Sequence, residues 1–121
     1  MDNGILILLL LVAFNVKHFL ADFVWQFEYM ILEKGIYGAP GGIHHSGMHA
    51  FFTFGILVWI NLPMALVGSV IDFIIHYHTD WAKQQTNKGC TPNDAKFWML
   101  MGFDQMVHHL TYLALIGLAI Y

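Results

Sequence analysis

The chain has 121 residues, of which 58% are apolar and 11% charged, with a mean hydropathy of +0.59. A soluble domain, in which about a quarter of residues are charged, cannot hide so much apolar surface, so the composition predicts an integral membrane protein forming one domain, residues 1–121. A net charge of −3 without any Arg leaves no basic patch for nucleic acid, and a single Cys, Cys90, excludes an internal disulfide and Cys-rich metal sites.

The first segment, "MDNGILILLLLVAF", lacks the basic start of a cleavable signal, and its apolar run continues into "NVKHFLADFVWQF". It is expected to remain as a helix over about 4–33. "KGIYGAPGG" (34–42) then marks a loop, followed by a helix over about 44–60. "NLP" (61–63) is a tight break before a helix over about 63–88. Gly89 ends that helix. Thr91 as N-cap, Pro92 at the first helical position and Asp94 three residues after the cap start the last one, about 92–121. The expected fold is all-α, an antiparallel four-helix bundle in the bilayer.

Polarity is uneven along these helices. Gly4–Phe14, Ala50–Ile60, Leu62–Ile71 and Leu110–Tyr121 are nearly unbroken apolar runs that an up-down bundle gathers at one end. Each rises about 15–18 Å, half a hydrocarbon core. Lys34, Lys83, Lys88 and Lys96 collect at the other end, which the positive-inside rule assigns to the cytoplasm. The expected location is a bacterial inner membrane with both termini periplasmic.

Residues four apart share a helix face. That spacing aligns His18, Asp22 and Gln26 in the first helix and His45 with His49 in the second. Asp72, His76 and Asp80 align in the third, and Asp104 with His108 in the fourth. Counting residues from the turns puts these groups at similar depth. Five His and four Asp suit one or two divalent metals, with Zn²⁺ the natural occupant of mixed imidazole and carboxylate sites. Helical bundles hold paired metals with inward ligands at such spacings. A bland reading remains beside this one, in which a His–Asp pair simply hydrogen-bonds between membrane helices, but ionisable groups inside a membrane are functional by default. Gln26, Lys83 and Gln105 are candidates for supporting the ligands or touching a substrate phosphate. Lys17 either snorkels or adds charge to the site, Lys34 is expected to anchor the interface, and His44, His78 and His109 point elsewhere.

The segments "HFLADFVWQFEYMILEK", "HSGMHAF", "HYHTDWAK" and "FDQMVHHLTYL" resemble the small bacterial and phage membrane proteins grouped as domain of unknown function 3307. The likeness runs from Lys17 to about Leu113. Its most specific elements are the D-x-x-x-Q of Asp22 and Gln26, the H-x-x-x-D-x-x-K of His76, Asp80 and Lys83, and the D-Q-x-x-H of Asp104, Gln105 and His108. That family is in turn similar to inner-membrane proteins described as metal-dependent hydrolases, distantly like zinc phospholipase C and related nucleases. The resemblance implies a His/Asp zinc cluster and phosphoester hydrolysis.

The leading expectation is a membrane-embedded hydrolase acting on a phosphoester of a lipid or lipid-linked substrate. His18, Asp22, His45, His49, Asp72, His76, Asp80, Asp104 and His108 are its candidate ligands, and Asp22 or Asp80 its general base. Two other classes stay open. In one, the His and Asp relay protons or pass a metal ion across the membrane. In the other, metal only holds together a non-catalytic protein that acts through a partner, with Gly55, Gly68, Gly102 and Gly117 permitting close contacts or a homo-oligomer.

Overall fold

A computed structural model describes residues 2–121, Met1 lying outside them. Among the described residues there are five α-helices and no strand: α1 (Asn3–Phe19), α2 (Glu28–Glu33), α3 (Pro40–Leu57), α4 (Leu62–Thr86) and α5 (Ala95–Ile120). The protein is all-α. α3 packs on α4, α4 on α5, and α1 closes the ring between α5 and α3, while α2 lies against α3.

The expected first helix, 4–33, is divided. After Phe19 the chain takes a π-helical turn, Leu20–Val24, closed by Trp25 N donating to Leu20 O at 2.7 Å, and it becomes extended at Phe27 before α2 begins. No Gly or Pro announces this break. The Gln26 side chain takes over at the carbonyl of Asp22, donating from Nε2 at 2.7 Å. The π turn re-phases Asp22 and lets α2 fold back onto α3.

The other boundaries follow their turn residues. α3 starts earlier than expected, with Pro40 in its first turn, and Gly38 supplies the left-handed conformation of the preceding loop at φ 84°. Asn61 caps α4 by accepting from Met64 N at 3.0 Å. Thr91 and Asp94 do pair, with Thr91 N donating to Asp94 Oδ2 at 2.7 Å. They close a separate turn, so α5 begins at Ala95 rather than Pro92.

The apolar core is small and lies at one end. Leu10 and Phe14 of α1, Leu57 of α3, Ala65 of α4 and Tyr112, Leu115 and Ile116 of α5 form it. Gly68 permits the tight approach of α3 and α4 here, since a Cβ would sit 2.7 Å from Leu57 Cδ1. Gly55, Gly102 and Gly117 have no neighbour within 4 Å of that position. At the opposite end the interior is polar. Among the described residues, fourteen polar or charged side chains are buried against ten apolar ones, while Leu8, Val12, Phe19, Leu66, Val70 and Leu113 face outward. One helical stretch, Asn3–Val24, is long and apolar enough to cross a membrane, with mean hydropathy 2.1 over its best window.

Candidate metal centre

Eight of the nine expected ligands come together: His18 and Asp22 from α1 and its π turn, His45 and His49 from α3, His76 and Asp80 from α4, and Asp104 and His108 from α5. All are buried. His76 is the hub, its ring stacked between those of His49 and His108 at centroid distances of 3.7 and 4.0 Å.

Four donor atoms from two helices, α3 and α4, and the π turn converge. His45 Nε2 lies 3.1 Å from Asp22 Oδ1, 3.2 Å from His76 Nε2 and 3.5 Å from Asp80 Oδ2. His76 Nε2 lies 3.4 Å from Asp80 Oδ2 and 3.8 Å from Asp22 Oδ1. A tetrahedral ion with bonds of about 2.0–2.1 Å holds its ligand atoms about 3.3 Å apart. These five spacings are close to those around a zinc-sized ion. His49 Nε2 adds a further donor 2.7 Å from Asp22 Oδ1, and Asp22, His45, His49 and His76 form one mutually close group.

His76, Asp80 and His108 form a second such group. A given imidazole nitrogen serves one ion, so His76 cannot complete both through Nε2. Asp104 is the natural replacement. Its Oδ1 lies 3.2 Å from His108 Nε2, and it is a buried carboxylate oxygen with no hydrogen bond. Such an oxygen is costly unless a cation or donor meets it. Asp80 links the two groups, with Oδ2 toward His45 and His76 and Oδ1 3.3 Å from His108 Nε2.

A chain of hydrogen bonds orients the outer donors. Gln105 Nε2 donates to Asp104 Oδ2 at 3.1 Å, which leaves Gln105 Oε1 to accept from His18 Nε2 at 2.6 Å. The proton of neutral His18 is therefore on Nε2, and its Nδ1 accepts from the Tyr112 hydroxyl at 2.8 Å. His18 Nε2 is also 3.2 Å from Asp22 Oδ2. By contrast, Nδ1 of His45 and of His76 has no partner.

Three lysines answer three of the four buried carboxylates. Lys17 Nζ meets Asp72 Oδ2 at 2.6 Å, Lys34 Nζ meets Asp80 Oδ2 at 3.1 Å, and Lys83 Nζ meets Asp104 Oδ2 at 2.9 Å. Asp72, with Thr53 also donating to it at 2.6 Å, belongs to a pair set apart from the His cluster. Asp22 has only His partners. Gln26 donates to the Asp22 carbonyl and Lys83 to the Asp104 carboxylate. Lys34 does not merely anchor an interface, because the break after Val24 carries it inward to Asp80. Tyr112, Thr53 and the role of Lys34 were missed from the sequence. His44 and His78 are exposed and pair with Tyr29 and Tyr37, at 3.0 and 2.9 Å. His109 lies beside the His18 ring at 4.8 Å.

Fold and site together define an all-α protein with a buried His/Asp cluster able to hold a metal ion. A family model described as "Protein of unknown function (DUF3307)" matches residues 5–121. The chain belongs to that family. No curated protein and no solved structure matches it, so the expected likeness to metal-dependent hydrolases gains no support there.

Proposed function

We propose that this protein is a membrane-embedded, metal-dependent hydrolase of a phosphoester in a lipid or lipid-linked substrate. The observation that carries the reading is the convergence of Asp22 Oδ1, His45 Nε2 and His76 Nε2 at 3.1–3.8 Å, with Asp80 Oδ2 close to both imidazoles and Asp104 Oδ1, which has no hydrogen bond, 3.2 Å from His108 Nε2. Four buried carboxylates paired with three ammoniums, those of Lys17 and Lys34 buried and that of Lys83 half-buried, leave one net negative charge. One divalent cation makes the centre net positive, and a second makes it strongly so, which favours an anionic substrate. Ions of this kind lower the pKa of bound water toward neutrality and polarise a phosphoryl oxygen. Asp22 commits one oxygen to the donor set and keeps the other 3.2 Å from His18 Nε2.

The membrane placement is supported by the reversal of the usual soluble pattern, with polar groups inside and large apolar side chains outside. Passage of an ion or proton across the protein is disfavoured by the closed apolar end, where Phe14, Leu57 and Leu115 are fully buried. The test is turnover: purified protein is offered phosphoester lipids beside a His76→Ala variant. Release of a phosphate-bearing product by the wild type alone is expected. No release from any phosphoester lipid by a metal-loaded, folded wild type would overturn the reading.

A further inference from the structure

A second feature lies beside the His cluster. A cavity of about 360 Å³ is lined by Asp22 and Gln26 next to the π turn, by Lys34, by Lys83 and Asn87 at the end of α4, and by Gln105 of α5. Its size is within the range of about 300–1,000 Å³ found for small-molecule pockets. Two kinds of group meet in it. Lys34 and Lys83 each donate to one carboxylate, at 3.1 and 2.9 Å, and an ammonium has three N–H donors, so both retain donors. Gln26 Oε1 and Asn87 Oδ1 are buried carbonyl oxygens without a hydrogen-bond partner. Gln26 cannot offer its nitrogen in their place, because Nε2 is held by the Asp22 carbonyl.

The residues that line the cavity thus carry cationic donors together with unmet acceptors. Its ligand needs an anionic group for the lysines and an O–H or N–H donor for the two carbonyls. An ammonium is repelled by Lys34 and Lys83, which leaves a neutral donor, of which a hydroxyl is the simplest. We infer that this cavity binds a polyol phosphate, a phosphate ester whose alcohol carries a further free hydroxyl. Asp22 lines the cavity and also contributes to the metal donor set, so such an ester lies within reach of both. Calling the ligand a substrate rests on the hydrolase reading; its binding does not.

The test is a ³¹P NMR titration of detergent-purified protein with sn-glycerol 3-phosphate and with methyl phosphate, which has no free hydroxyl. The glycerol ester is expected to bind about tenfold more tightly, the worth of one or two hydrogen bonds. Asn87→Leu should remove that preference. Lys83→Gln, which keeps a donor for Asp104 but loses the charge, should weaken both, with circular dichroism confirming the fold. Equal binding of the two esters by wild type, or a preference unchanged in Asn87→Leu, would overturn the inference. Competition by nanodiscs containing phosphatidylglycerol but not phosphatidylcholine identifies a lipid headgroup; its absence identifies a free ester, and either result supports the chemical class. Metal content is read on the same samples. Binding without metal keeps the cavity assignment and ends the hydrolase reading, whereas metal without a polyol preference does the reverse.

Discussion

Lys17 shows how one residue supports a site without joining it. Its ammonium is buried against Asp72 and lies 4.4 Å from the centroid of the Tyr112 ring, beneath the His cluster. Lys17→Met leaves the Asp72 carboxylate buried and uncompensated, at an expected cost of about 3–5 kcal/mol. The double variant Lys17→Met/Asp72→Leu should recover most of that loss in thermal unfolding and retain metal, since neither residue is in the converging donor set. Metal lost from a folded double variant would return Asp72 to the ligands. The sequence made the cluster legible because a spacing of four residues aligns polar groups on each helix whatever the helix packs against. The same spacing runs from His108 to Tyr112, so Tyr112 could have been found. Lys34 could not, because its position depends on a break with no Gly or Pro to mark it.

Between residues and the whole molecule, the decisive element is α2. It reaches α3 only because Gly41 has no side chain there: a Cβ would sit 2.6 Å from the Tyr29 carbonyl oxygen and 2.7 Å from Glu33 Cβ. Gly41 N also donates to Glu33 Oε2 at 2.6 Å. Gly41→Ala is expected to push α2 away, cost about 1–3 kcal/mol, and draw Lys34 from Asp80. Hydrogen exchange should then rise across 28–41. Gly55→Ala, in open space, is the control and should change nothing. Exchange unaltered in Gly41→Ala would mean that α2 docks by other contacts. The long helices were readable from their apolar runs and from caps such as Asn61. The split of the first helix was not, because the Gln26 side chain satisfies the Asp22 carbonyl that the break frees. Nothing in local composition signals that exchange.

For the molecule as a whole, the proposed function places a bilayer around the outward-facing apolar side chains and the polar end of the bundle toward the cytoplasm. Cys90 reports this, being the single cysteine, half-buried in the loop between α4 and α5. A membrane-impermeant maleimide should label it in inverted membrane vesicles and not in intact cells. Labelling from outside would reverse the orientation, and recovery of the protein in the soluble fraction would overturn the membrane placement. Whether the buried His/Asp cluster holds metal is decided by elemental analysis of detergent-purified protein. One or two equivalents of zinc or a similar divalent ion are expected in the wild type, and none in a folded His76→Ala/Asp104→Ala variant. A wild type that is folded and free of metal after purification without chelators, and that takes up none on dialysis against zinc, would contradict metal binding and leave a hydrogen-bonded His/Asp network in its place.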